Sequence, residues 1–178
     1  MGGMQDTCSP PPLRKVSACL NGLSVTVMPP IVTERQKILL RTSWRAAEMD
    51  ITKVGIFTFI GLFEANPEFQ ESFILFRGLT HKEMKYSVVL KDHALRVMGI
   101  VEKCINRLDD VEKIKNIMTS LGKKHAGYCV QKQYIDLMCP QFISSLQQMQ
   151  GDWTDEHTDA WKALFGLITY HMKSTMPD

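Results

Sequence analysis

The sequence predicts an all-α protein, and three observations support this fold class. Apolar residues recur at intervals of three and four along most of the chain after residue 87, which is the spacing of one face of an α-helix. Threonines that suit helix starts, Thr33 and Thr154, stand just before two of the predicted helices, where a hydroxyl group can accept hydrogen bonds from first-turn amides. Strand-like sequence is confined to one ambiguous segment, 52–65. We therefore expect about six or seven helices with short connections.

The first helix is predicted to begin at Thr33. The sequence TERQ has the form of a capping box, in which Thr33 accepts from the first turn and Gln36 reaches back. The segment 52–65, TKVGIFTFIGLFEA, is apolar around most of its circumference. We expect a buried helix there, although its β-branched and aromatic residues make a strand the alternative. Pro67 suits the first turn of a short new helix, which we expect to run into a loop.

Four longer helices are predicted over 87–107, 111–125, 132–150 and 155–174. Pro140 lies inside the third of them. A proline in a helix interior removes one backbone hydrogen bond and clashes with the preceding turn, so we expect a kink at that point.

Length and composition restrict the class of protein. The chain has 178 residues, 22% of them charged, and a formal net charge of +2, as in an ordinary globular domain. Its dispersed basic residues do not favour nucleic acid as a partner. The five cysteines, at positions 8, 19, 104, 129 and 139, form no CxxC pair, so we expect reduced thiols and a cytoplasmic protein. No apolar run approaches the ~20 residues of a membrane span, and a membrane is not an expected partner.

The first 32 residues differ in character from the rest. The stretches SPPP, NG and MPP indicate turns and extended chain. We expect residues 1–32 to form a flexible arm or linker and residues 33–178 to form the folded domain. Gly2 and Cys8 suggest acylation, but Asp6 stands where the myristoylation pattern requires Ser or Thr. A tag or linker remnant is therefore the favoured interpretation.

Two histidines lie on otherwise apolar helix faces. Each alone is more often a hydrogen-bonded core residue than a ligand. Two imidazoles on successive helices, however, can face one flat cofactor from both sides, and neutral imidazole binds iron. His93 shares its predicted face with Val97, Ile100, Val101 and Cys104, and His125 ends a face formed by Ile114, Ile117, Met118 and Leu121.

Cations stand beside both histidines. Arg96 follows His93 by three residues and Lys124 directly precedes His125. Such cations at the rim of an apolar slot suit a flat, anionic ligand, and the alternative is ordinary solvated surface charge. The other histidines, at positions 81, 157 and 171, lie outside the two faces, and we expect them to be exposed or locally hydrogen-bonded.

From Thr33 to its end the chain resembles the globin family, especially the neuroglobin-like and globin-X-like branch with histidines on both haem faces. Three segments carry this resemblance: FEANPEFQESFILF, in which a proline begins the third helix, LKDHALRV around His93, and LGKKHAGYCV around His125. The resemblance implies a globin fold with about seven to eight helices around a haem pocket. It also implies haem b, held non-covalently because the sequence has no CxxCH attachment motif.

The same resemblance implies roles for individual residues. His125 would be the proximal iron ligand, and His93 would be the distal residue. Tyr134 competes with Ile135 for one position at the haem edge. The residues expected to contact or border the haem are Phe59, Phe73, Phe76, Arg96, Val97, Leu121, Lys124, Val130 and Ile135.

The resemblance further predicts a function. We expect a bis-histidine, six-coordinate haem globin that senses oxygen or redox state by reversible ligand binding at the iron, without being a dedicated enzyme. The alternatives are electron transfer, slow nitric-oxide dioxygenation or nitrite reduction, oxygen storage or carriage, and a haem-free interaction domain. Oxygen, carbon monoxide and nitric oxide are the implied ligands, and the arm 1–32 would bind a signalling or redox partner.

Overall fold

The computed structural model describes residues 28–178, which contain eight helices, one four-residue helical turn (α7) and no strand. The all-α prediction is therefore confirmed. None of the helices in this range is both long and apolar enough to cross a membrane. The elements are α1 (Glu34–Glu48), α2 (Ile51–Ala65), α3 (Pro67–Ser72), α4 (His81–Tyr86), α5 (Val88–Ile105), α6 (Val111–Gly127), α7 (Lys132–Ile135), α8 (Met138–Gln147) and α9 (Asp155–Lys173).

Side-chain caps begin six of the described helices, including the two predicted at Thr33 and Thr154. At α1 the capping box forms in both directions, with the Gln36 amide donating to Thr33 Oγ1 (3.3 Å) and the Thr33 amide donating to Gln36 Oε1 (2.9 Å). Asp50 caps α2 by accepting from the Lys53 amide. The segment 52–65 is helical, so the strand alternative is wrong: its apolar residues are buried on several sides as a helix.

Two local predictions are wrong. The loop predicted after α3 extends only to Thr80, because a second capping box, between Thr80 and Glu83, begins the short helix α4. The segment 132–150 is not one kinked helix. It is divided into α7 and α8, and Pro140 is the third residue of α8, where a helix has no intrahelical partner for the missing N–H.

The helices pack around two apolar clusters. The larger cluster joins α1, α5, α6, α8 and α9, and at its centre Trp161 contacts Trp44 and Phe142. The second cluster lies among α2, α3, α4 and the first half of α5. Half of its buried members are phenylalanines, and we call it the aromatic cluster; these members are Phe59, Leu62, Phe63, Phe69, Phe76, Met84, Leu90 and Ala94.

Glycines allow the closest helix crossings. A Cβ atom on Gly55 of α2 would lie 3.0 Å from the Ala94 Cβ of α5. A Cβ atom on Gly122 of α6 would overlap the Met172 carbonyl oxygen and the Thr175 hydroxyl beside the end of α9. These crossings bring α5, which carries His93, and α6, which carries His125, into fixed positions on the core.

Candidate functional site

His93 projects from α5 into the second, aromatic cluster. Its ring centroid lies 4.9 Å from that of Phe59, 6.1 Å from Phe73 and 6.4 Å from Phe76, each with an edge-to-face arrangement. Burial, followed by the positive charges of Arg96 and His125, lowers the pKa of His93 to about 4. The imidazole is therefore neutral at physiological pH, and a nitrogen lone pair is available to a metal.

His125 lies in the last turn of α6 and is oriented by its own helix. Its Nδ1 is 2.9 Å from the Leu121 carbonyl oxygen. A carbonyl oxygen only accepts hydrogen bonds, so Nδ1 must carry the proton. This fixes the tautomer in which Nε2 bears the lone pair, as in metal-binding histidines whose second nitrogen donates to a backbone carbonyl.

The two histidines, which are 32 residues apart in the sequence, act on each other electrostatically in the fold. The charge of His125 is close enough to contribute to the lowered pKa of His93. Within residues 28–178 no group forms a hydrogen bond with the His93 ring, whereas the His125 ring is held at Nδ1. The chain thus presents two imidazoles, one fixed by a backbone carbonyl and one surrounded by aromatic rings.

The predicted aromatic contacts lie together. Phe59, Phe73 and Phe76 all contact the His93 ring, and Phe73 stacks on Phe76 with centroids 5.6 Å apart. Val97 lies one helical turn after His93 and packs against both apolar clusters. This set forms an apolar wall beside the His93 imidazole.

Ile135 and Leu121 do not belong to this apolar wall. Both pack against the larger cluster around Trp161. Tyr134 instead packs in the aromatic cluster, where it stacks on Phe69 with centroids 4.4 Å apart. Of the two competitors for the haem-edge position, Tyr134 is therefore the one that shares a cluster with Phe73. The proposed role of Ile135 as a haem contact stays a prediction.

The rim residues are exposed or half-buried. Arg96 and Lys124 are both exposed, and the charge of Arg96 acts on His93. Val130 is placed beside His125 because its amide donates to the His125 carbonyl oxygen (3.0 Å). Cys129 adopts a positive φ of 57°, which lets the chain turn back so that the Val130 amide reaches the His125 carbonyl. The sequence did not predict this conformation, because glycine or asparagine usually occupies it.

The other histidines divide into two groups. His81 pairs with Glu64 (3.1 Å), and His157 Nδ1 accepts from the Thr154 amide (3.2 Å), so both are locally bonded as predicted. His171 was expected to be exposed or locally bonded, and this is wrong. It is buried in α9, and its Nε2 has no hydrogen-bond partner within the described residues.

Sequence reasoning also missed Phe63 and Phe69. Both belong to the aromatic cluster, and Phe69 links Tyr134 to Phe73. Phe69 was detectable in principle, since it lies in the first turn after Pro67 and close to Phe73 in sequence. Its contact with Tyr134 was not detectable, because that residue is distant in the chain.

Helices arranged in this way, with one imidazole against an aromatic wall and a second fixed on the next helix, are typical of a haem-binding all-α protein. The family model for globins matches residues 56–172, and the chain belongs to the globin family. Its cofactor is haem, which binds diatomic gases. The donor set fits this cofactor: His125 Nε2 and the neutral His93 ring would hold the iron, and Phe73 with its aromatic neighbours would cover the macrocycle.

Known proteins with similar sequences include cytoglobins and neuroglobins. The chain is 25% identical over 147 residues to cytoglobin-2 of Danio rerio, covering 81% of this chain and 82% of the relative. It is 26% identical over 143 residues to neuroglobin-1 of Oncorhynchus mykiss, covering 79% and 90%. Among solved structures, a hexacoordinated haem protein from an anhydrobiotic tardigrade, crystallised at pH 4, has the same fold. Its TM-score is 0.76 at 18% identity, with 82% of this chain and 96% of that chain covered.

Proposed function

We propose that this globin is a haem-based sensor of diatomic gas or redox state in which His125 and His93 both bind the iron. The observation that carries the proposal is the state of His93. Its ring is neutral, enclosed by Phe59, Phe73 and Phe76, and without a hydrogen-bond partner in residues 28–178.

The surroundings of His93 favour ligation over solvation. The His93 ring is half-buried, and a polar nitrogen that lacks a partner costs about 1–3 kcal/mol when it is fully buried. Phe59 and Val97 offer no polar atom that would hold a water molecule beside the ring. An iron ion would satisfy this nitrogen, so His93 would gain free energy as a second iron ligand.

His93 then controls access to the iron. When bound, the haem supplies reversible ligand binding and one-electron redox chemistry. A gas must compete with His93 for its position, so the apparent affinity falls by the fraction of molecules in which His93 is away. Because His93 is part of α5, its departure changes the contacts between α5 and the three phenylalanine rings. This change is the mechanical signal, and the arm 1–32 is the proposed contact with a signalling partner.

Electron transfer is the second candidate function. It is favoured by the aromatic rings that continue from His93 towards Tyr134. Oxygen storage requires that His93 stay off the iron, and the unpartnered ring disfavours it.

Absorption spectroscopy tests the coordination directly. The purified ferrous protein is expected to be low-spin and six-coordinate, and His93→Leu is expected to be five-coordinate and to bind carbon monoxide faster. His81→Leu is the matched control, since His81 pairs with Glu64 at the surface, and its spectrum should equal that of the wild type. A wild-type ferrous protein that is already high-spin would refute the binding of His93 to the iron and would favour oxygen storage.

A further inference from the structure

A single buried side chain holds the turn that follows α3. Gln70 is 8% exposed, and its side-chain nitrogen donates to two backbone carbonyls further along the chain. The acceptors are the carbonyl oxygens of Phe76 (2.9 Å) and Leu79 (2.7 Å). These two bonds use both N–H groups of the glutamine amide. Gly78 lies between the two acceptors with a positive φ of 74°, which glycine adopts without strain.

The turn, residues 73–79, is otherwise largely exposed to solvent. Ile74 and Leu75 are 82% and 69% exposed, and the turn packs inwards on the aromatic cluster through Phe73, Phe76 and Leu79. Buried hydrogen bonds are costly to lose, because the groups left behind are not solvated by water. The buried Gln70 amide therefore favours one position of the backbone in this turn.

The same turn carries two of the three phenylalanine rings that contact His93. The ring centroids of Phe73 and Phe76 lie 6.1 Å and 6.4 Å from that of His93, and the third ring, Phe59, belongs to α2. Protein interiors are close-packed, so the His93 ring cannot change its position without displacing these rings. Gln70 bonds the backbone of Phe76 itself, and the position of that ring thus depends on the glutamine.

We propose that Gln70 is a positioning residue for His93: it holds residues 73–79 so that Phe73 and Phe76 stay against the imidazole, and it thereby limits how often His93 leaves the iron. The inference rests on the proposed binding of His93 to the iron. It adds a determinant of gas affinity outside the haem ligands, because the apparent affinity depends on the fraction of molecules in which His93 is away.

Gln70→Met tests this role in the haem-bound protein. Methionine is flexible, unbranched and similar in length, but it donates no hydrogen bond. Hydrogen exchange of the backbone amides in residues 73–79 is expected to become about tenfold faster, while exchange in α9 stays as in the wild type. Carbon monoxide binding at saturating concentration, measured by rapid mixing, should also become faster and approach the rate of His93→Leu.

Arg77→Met is the matched control on the same turn. Arg77 Nε donates to the Glu71 carbonyl oxygen (2.9 Å) at the exposed surface. Water can replace this bond, so both the exchange rates and the carbon monoxide rate should equal those of the wild type.

Gly78→Ala alters the turn without changing Gln70. The added methyl group meets nothing within 4 Å, but the positive φ strains any residue other than glycine. Both rates should increase as they do in Gln70→Met. If Gln70→Met does not fold or does not retain haem, the result for Gly78→Ala decides the question.

The outcomes separate this inference from the proposed function. A six-coordinate wild type with an unchanged carbon monoxide rate in Gln70→Met, or equal effects of Gln70→Met and Arg77→Met, overturns the role of Gln70 alone. A faster carbon monoxide rate without faster exchange in residues 73–79 also overturns it. A five-coordinate wild-type ferrous spectrum overturns the binding of His93 to the iron, and faster exchange confined to residues 73–79 would still support the hold of Gln70 on the turn.

Discussion

At the scale of single residues, the orientation of His125 is the most informative feature of the site. Its helix fixes the ring through the Leu121 carbonyl oxygen, so the free Nε2 is presented without help from distant residues. The haem should depend on this one nitrogen on the proximal side.

His125→Leu is expected to abolish stable haem retention, because the fixed imidazole is removed and no described neighbour replaces it. Haem content after purification, measured by the ratio of Soret to protein absorbance, gives the result. Lys124→Ala is the control and should retain haem, since Lys124 is exposed. A His125→Leu protein with normal haem content and spectrum would contradict the assignment.

The cysteines also differ residue by residue. Cys104, Cys129 and Cys139 are free thiols, as predicted, and Cys8 and Cys19 lie outside the described residues. Burial raises the pKa of Cys104 to about 12 and that of Cys139 to about 11, while Cys129 is exposed. The thiolate is the reactive form, so burial and a raised pKa both slow modification.

In the native protein we therefore expect a thiol reagent to modify Cys129 well before Cys139 and Cys104. Time-resolved labelling with peptide mass spectrometry measures the order of modification. Among the three described cysteines, the fastest labelling should be absent in Cys129→Ser. Unfolded, non-reduced protein should show all five thiols, and fewer would indicate a disulfide.

His171 introduces a pH dependence. Burial lowers its pKa, the charge of Lys115 on α6 lowers it further, and Glu112 on α6 opposes this. The unfolded chain, with an ordinary histidine pKa of about 6.5, then binds more protons than the folded chain in mild acid. The free energy of unfolding should fall as the pH decreases below that value.

His171→Leu is expected to weaken this loss of stability. Urea unfolding of the haem-bound protein at about pH 7.5 and about pH 5.5, on either side of the ordinary histidine pKa, gives the comparison. His157→Gln serves as the control at a histidine near the other end of the same helix. Equal pH dependence in wild type and His171→Leu would show that His171 does not carry the effect.

At the scale of elements, the crossing of α6 on α9 determines where His125 lies. Gly122 allows it, because a side chain there would meet the Met172 carbonyl and the Thr175 hydroxyl. Thr175 strengthens the same crossing by donating to the Thr119 carbonyl oxygen (3.1 Å). A change at Gly122 should therefore affect both stability and haem retention.

Gly122→Ala is expected to destabilise the protein by about 1–3 kcal/mol, since backbone must move to admit the methyl group. Haem should also dissociate faster, because α6 carries His125. Gly99→Ala in α5 is the matched control: its methyl group meets nothing within 4 Å, so it should stabilise by about 0.5–1 kcal/mol. Chemical unfolding and haem transfer to an acceptor protein measure the two effects. Equal behaviour of the two variants would contradict the crossing argument.

At the scale of the whole molecule, the contacts of Pro30 and Val32 bear on the predicted boundary between the arm and the domain. Pro30 packs against Gly166 of α9, and Val32 packs against the larger cluster. The segment immediately before Thr33 thus contributes to the domain. We propose that the folded domain includes the segment from Pro30 onwards, ahead of the predicted boundary at residue 33.

Deletion of residues 1–27 should leave the haem spectrum and stability unchanged. Deletion of residues 1–32 should lower stability by about 1–3 kcal/mol, because the apolar contacts of Pro30 and Val32 are lost. Thermal unfolding of the two shortened proteins provides the measurement. A large loss from the first deletion would show that the arm supports the domain.

The sequence by itself determined the features that depend on neighbouring residues. The capping box at Thr33, the proline at the start of α3 and the helical faces of His93 and His125 all follow from hydrogen bonds or side-chain periodicity within a few residues. The ordered set of these residues also indicated the family, which the globin match confirmed.

Only the tertiary structure decided the features that join distant segments. The stacking of Tyr134 on Phe69, the burial of His171 and the close crossing at Gly122 each require two elements that are separated in the chain. Tyr134 and Ile135, which are neighbours in α7, pack against different clusters. Periodicity along one segment contains no information on which partner covers it, so these contacts follow from packing alone.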